Sequence, residues 1–161
     1  MKFLKINIGQ ITQMTEIIEN LYLGSRDDAE NEKWLQEHSI KVVISVMYAN
    51  SSSAVSYEQL GITLHHFPML DCKQPQDPLL FYDEIKKIII ESLDQCQGVL
   101  IHCAHGISRS AATIIAFLME FHKLRLNRAL QFVKSLRPIV APNPTFMKYL
   151  RCHDELLFCE E

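Results

Sequence analysis

The chain has 161 residues, 48% hydrophobic and 22% charged, with 16 Lys and Arg against 19 Asp and Glu for a net charge of −3. One domain of this length can bury a core without staples, and the composition excludes a disordered tail, a collagen-like fibre and a disulfide scaffold. The mildly acidic balance offers no bulk attraction to a polyanion, so no nucleic-acid partner is expected.

No repeat or linker divides the sequence, so residues 1–161 are expected to form a single domain; whether Met1 to Thr15 is ordered stays open. The Ser-rich piece Asn50 to Ser53 reads as a surface loop. In chain order, Ile17 to Leu23 reads as a short strand or hairpin ending at Gly24, and Asp27 to His38 as a helix started by Ser25 or Asp27. Lys41 to Val46 is a β-branched run expected to be a buried strand. Tyr57 to Leu60 suggests one helical turn ended by Gly61, and Ile62 to Phe67 a strand stopped by Pro68. Pro78 to Gln95 is an amphipathic helix with proline near its first turn, where the missing N–H does no harm. Gly98 opens a strand through Val99 to His102, and a helix runs from Arg109 to about His122. Asn127 is expected to cap a helix to Leu136, Pro138, Pro142 and Pro144 to form an extended connection, and Thr145 to Leu157 to be the last helix. Strands separated by helices imply an α/β fold, with a mostly parallel sheet of about five strands and helices on both faces.

The five cysteines form no Cys-x-x-Cys pair. The opening MKFLKINIGQ is interrupted by Asn7, Gly9 and Gln10, and no apolar run approaches the ~18 residues of a membrane span. Lys2 excludes the Met-Gly start that myristoylation needs. These features imply free thiols, a cytoplasmic or also nuclear location and no membrane partner.

The segment from Val99 to Thr113 carries the chemistry. A buried-type strand meets Cys103, five residues follow, and Arg109-Ser110 opens a helix. A short loop between strand and helix can turn its N–H groups inward as a cup for an anion. Gly106 lets the backbone curl, and Arg109 offers a planar fork that matches two phosphate oxygens. Amides, helix end and guanidinium all favour the Cys103 thiolate, which makes it a nucleophile aimed at phosphorus.

Ile101-His102-Cys103-Ala104-His105-Gly106-Ile107-Ser108-Arg109-Ser110 resembles the Cys-x5-Arg signature of the protein tyrosine phosphatase superfamily, and its Ser-Arg-Ser ending resembles the small, atypical dual-specificity branch. Glu19 to Gly24, Thr113 to Met119 and Arg137-Pro138 followed by Pro142-Asn143 extend the resemblance over about residues 17–157. The resemblance implies a phosphatase of phosphotyrosine and phosphoserine or phosphothreonine acting through phosphocysteine. It implies Cys103 as nucleophile, Asp71 after the strand end as general acid and base, Ser110 as donor to the sulfur, and Arg109 on the transferring phosphoryl group. Ala104, His105, Gly106, Ile107, Ser108 and Arg109 would line the phosphate site, with His102 acting through the loop. Asn143 would brace the loop or touch substrate.

Asp77 is a second candidate acid, but Asp71 follows the strand end directly. His102, Cys103 and His105 could ligate a metal, yet they share one loop with no second cluster, so no metal and no cofactor is expected. Cys72, beside Asp71, could trap an oxidised Cys103 as a disulfide or be an ordinary loop thiol. His65 and His66 should alternate faces of their strand, one toward the core and the other exposed. The loop lacks the Lys typical of lipid phosphatases in this superfamily and the Asn-Arg-Thr-Gly ending of its RNA triphosphatases, so phosphoprotein substrates lead. A phosphopeptide-binding module without turnover is disfavoured by the intact Cys103, Arg109 and Asp71. Tyr48 to Tyr57 is expected to border the cleft, and a monomer is favoured.

Overall fold

The computed structural model describes residues 13–49, 55–71 and 79–159. Strands β1 (Thr15–Ile18) and β2 (Leu21–Gly24) form an antiparallel hairpin whose turn places Asn20 at φ 64°. Asn tolerates that left-handed conformation better than most residues. Two short helices follow, α1 (Arg26–Ala29) and α2 (Glu32–Glu37), then strands β3 (Ile40–Ser45) and β4 (Thr63–His66). Helix α3 (Tyr82–Asp94) leads to strand β5 (Gly98–His102), and helices α4 (Arg109–Phe121), α5 (Leu126–Leu136) and α6 (Pro144–Phe158) complete the chain.

The sheet order is β1-β2-β5-β3-β4, parallel except for the hairpin. Side chains alternate across it, as the two-residue strand period requires. Leu21, Leu23, Val42, Ile44, Val99 and Ile101 join the larger core, shared with α3 to α6. Tyr22, Val43 and Leu100 join a smaller one with Ala29, Leu35, Tyr57 and Ile62. Every residue of β5 is buried, because it is covered on both faces and paired on both edges.

The five-strand α/β architecture matches the expectation; several boundaries differ. The helix expected over Asp27 to His38 is two helices. Asn31 breaks it, since its side chain accepts from the Trp34 amide and starts α2 afresh. Ser25 starts α1 with a capping box shared with Asp28. The helix expected from Pro78 begins at Tyr82. Asn127 is not a cap: Arg125 holds that position, and the Leu126 amide donates to Asp154 Oδ1 at 2.7 Å, a partner from α6. The last helix begins at Pro144, capped by Asn143. Tyr57 to Leu60 does form a turn ended by Gly61 at φ 66°. His65 and His66 are both half-buried rather than divided between core and solvent, and His66 Nε2 bonds the Met47 carbonyl.

Candidate active site

Strand β5 delivers Cys103 to the carboxyl edge of the sheet, and residues 103–108 wrap the start of α4. The carbonyls of that wrap all point outward. The Val46 amide bonds the His102 carbonyl, the His102 Nδ1–H that of Cys103, and the Arg26 amide that of Ala104. Arg137 donates from Nη2 to the His105 carbonyl and from Nε to that of Gly106, at 3.3 and 3.0 Å. The Ala141 amide takes the Ile107 carbonyl and the Ala112 amide that of Ser108. With its acceptors tied outside, the loop presents its donors inward. Gly106 sits at φ 65°, and a Cβ there would come within 2.7 Å of the Gly24 carbonyl oxygen and 2.8 Å of Arg137 Nη2, so only glycine fits.

Helix α4 reinforces the cup. Ser108 occupies its N-cap without a side-chain cap bond, because its hydroxyl accepts from the Asn143 amide instead. The first amides of α4 therefore receive no side-chain cap and face the loop interior. The Cys103 thiol is 2% exposed. Burial alone would push its pKa up. The Ser110 hydroxyl, donating to Sγ at 3.1 Å, the amides of Ser110 and Gly106, and the Arg109 charge outweigh that and hold the thiol below its usual range. His102 is pushed down to about 4 chiefly by burial, so it is neutral near pH 7 and its Nδ1–H steadies the loop.

Arg109 reaches the loop that follows β4 and carries Asp71. One Nη donates to the Met69 carbonyl at 3.3 Å, Nε lies 3.9 Å from Asp71 Oδ2, and that buried Nε has no hydrogen-bond partner among the described residues. A buried guanidinium N–H without a partner is costly unless an anion uses it. Asp71 follows the end of β4 and is held from the far side by Asn143, whose Nδ2 donates to Oδ1 at 2.6 Å.

The expected residues thus converge. Cys103, Ser110, Arg109 and Asp71 surround one cup, and Ala104 to Ser108 form its wall. Cys72 and Asp77 lie outside the described residues, as do 50–54 of the expected cleft border. Tyr48 is exposed, but Tyr57 is buried in the smaller core with its hydroxyl on the Ala29 carbonyl, so it does not border the cup. Two contributors were legible only as family resemblance: Asn143, which joins acid loop, phosphate loop and α6, and Arg137, which holds the loop from behind. Among the described residues no cluster of His, Cys, Asp or Glu could hold a metal.

A parallel sheet whose central strand ends in a thiol inside an anion cup defines a cysteine-based phosphatase domain. The comparisons make the class specific: the family model for the dual specificity phosphatase catalytic domain matches residues 21–155, and the chain belongs to that family. Mouse dual specificity protein phosphatase 14 is 33% identical over 95% of this chain and 75% of its own length. Human protein phosphatase Slingshot homolog 2 is 29% identical over 96% of the chain, which spans only 10% of that relative. The solved structure of human DUSP28 superposes with a TM-score of 0.80 at 27% identity, covering 89% of this chain and 94% of the other.

Proposed function

We propose that the protein is a cysteine-dependent phosphatase of phosphoproteins that hydrolyses phosphotyrosine and phosphoserine or phosphothreonine esters in two steps. Cys103 Sγ attacks phosphorus, the bond to the ester oxygen breaks, and Asp71 gives that oxygen its proton. The inward amides and the Arg109 fork carry the charge of the equatorial oxygens. Water then attacks the phosphocysteine and passes its proton to Asp71. The S–P bond breaks, with Ser110 donating to the departing sulfur, and inorganic phosphate leaves. The reading rests on one observation above all: a buried thiol hydrogen-bonded by Ser110 beside a guanidinium whose Nε has no hydrogen-bond partner among the described residues. A nucleophilic thiol needs a reducing compartment, which favours the cytosol or nucleus. No helix of the described residues is long and apolar enough to cross a membrane.

The test is hydrolysis of an aryl phosphate and of tyrosine, serine and threonine phosphopeptides, beside phosphoinositide and RNA 5′-triphosphate. Phosphopeptide turnover that vanishes in Cys103→Ser, by about 10⁴-fold or more, is expected. Turnover that survives the substitution, or phosphopeptide binding by wild type without any turnover, refutes the proposal.

A further inference from the structure

The loop between α5 and α6 carries a second guanidinium that the reaction above does not use. Arg137 is 3% exposed and its donors fan out to four acceptors. Nε and Nη2 take the Gly106 and His105 carbonyls; Nη1 takes the Gln13 carbonyl at 2.8 Å and the Thr15 hydroxyl at 3.2 Å, at the start of β1. A buried arginine is expensive unless its charge and all its forks are answered. Its charge is answered by two groups, Asp28 of α1 and Cys103 itself. Asp28 is fully buried and accepts from the Ser25 amide and hydroxyl. A Cβ on Gly24 would come within 3.0 Å of Asp28 Oδ2, and one on Gly106 within 2.8 Å of Arg137 Nη2, so both glycines make room for this pair.

We propose that Arg137 is a positioning residue for phosphoryl transfer: it draws the His105 and Gly106 carbonyls backward so that the loop amides face the phosphate, and its charge, partly offset by Asp28, supports the Cys103 thiolate from behind. A carbonyl left free in this loop would turn its negative end toward the substrate's oxygens. Two neighbouring carbonyls need two donors at fixed spacing, which a planar fork supplies and an ammonium does not. The charged and titratable groups around the thiol each have a place. Arg109 holds the thiol toward its anion, Arg137 is attracted both by Cys103 and by Asp28, and His102 is neutral near pH 7. Asp71 faces Arg109 across the cup.

The inference rests on Cys103 being the nucleophile, and its test reads that separately. The rate of Cys103 alkylation by iodoacetamide is followed against pH, with mass spectrometry of the Cys103 peptide, and tungstate binding is measured by calorimetry. In wild type the alkylation midpoint should fall well below the free-thiol value of about 8.5. In Arg137→Gln it should rise by about one unit, and tungstate should bind about tenfold more weakly or worse. Arg137→Lys keeps the charge and loses the fork, so the midpoint should move less while tungstate affinity still drops. Asp28→Asn, close in shape, should shift the midpoint downward. Opposite signs at two buried residues separate electrostatic support from loss of packing. Should Arg137→Gln fail to fold, Arg137→Lys and Asp28→Asn carry the test. A low wild-type midpoint left unmoved in both Arg137 variants, with tungstate affinity intact, overturns the role of Arg137 alone. A wild-type midpoint near 8.5 overturns the nucleophile instead.

Discussion

The phosphate loop and the acid loop meet at Arg109 and are secured in different ways. From His102 to Ser108 every carbonyl accepts a hydrogen bond, from Val46, Arg26, Arg137 and Ala141 as well as from His102 and α4, and Cys103 at the base is 2% exposed. Among the described residues, Asp71, with its side chain 38% exposed, accepts one 2.6 Å bond, from Asn143, and faces Arg109 at 3.9 Å. The contrast follows the chemistry. Charge stabilisation works best when the dipoles are fixed before substrate arrives. A proton donor must serve a leaving oxygen and then a water, so few contacts hold it.

That contrast can be broken from either side. The largest effect after loss of the nucleophile is expected at the acid: Asp71→Asn should lower kcat about 10²- to 10⁴-fold on alkyl phosphates and leave tungstate affinity close to wild type. If affinity falls with kcat, the two loops are not separable. Asn143→Asp comes next. It keeps an oxygen able to cap α6, yet places a carboxylate against Asp71 in place of an amide donor. Turnover should drop about ten- to a hundredfold while thermal stability changes little. Ser110→Ala acts on the other side. The thiol loses its hydroxyl donor, so the alkylation midpoint should move up and phosphocysteine hydrolysis should slow about tenfold, seen as a burst of released alcohol.

The smallest effect concerns stability. His102 titrates near 4 in the folded chain, against about 6.5 when exposed, so the unfolded state binds the extra proton first. Unfolding free energy should therefore decline as pH falls from about 6.5 to about 4 and this contribution should level off below. His102→Gln should flatten that part of the curve in denaturant titrations; an unchanged slope would show that His102 is solvated.

The phosphate loop was legible in the sequence because its parts are contiguous: strand, Cys103, Gly106, Arg109 and Ser110 lie within a dozen residues and each has a local reason to be there. What holds it was legible only as resemblance. Arg137 and Asn143 reach the loop and Asp71 across tens of residues, and only the folded chain brings them together. The same reason explains the helix boundaries. The α5 cap comes from Asp154 on another helix, whereas Asn127, a good capping residue by type, lies two residues past the cap position. Asn31 had the signature of a start signal inside what read as one helix, and the amphipathic pattern on either side concealed it.

Strand β5 lies in the middle of the sheet, bonded to β2 on one edge and β3 on the other, and it ends at the reacting sulfur. Its amides from Val99 to Ile101 can trade hydrogens with water only when the whole sheet opens, so they report the global unfolding free energy. The proposed nucleophile is thus mounted on the central strand of the sheet, and gentle warming should fray the hairpin edge before it dislodges the thiol.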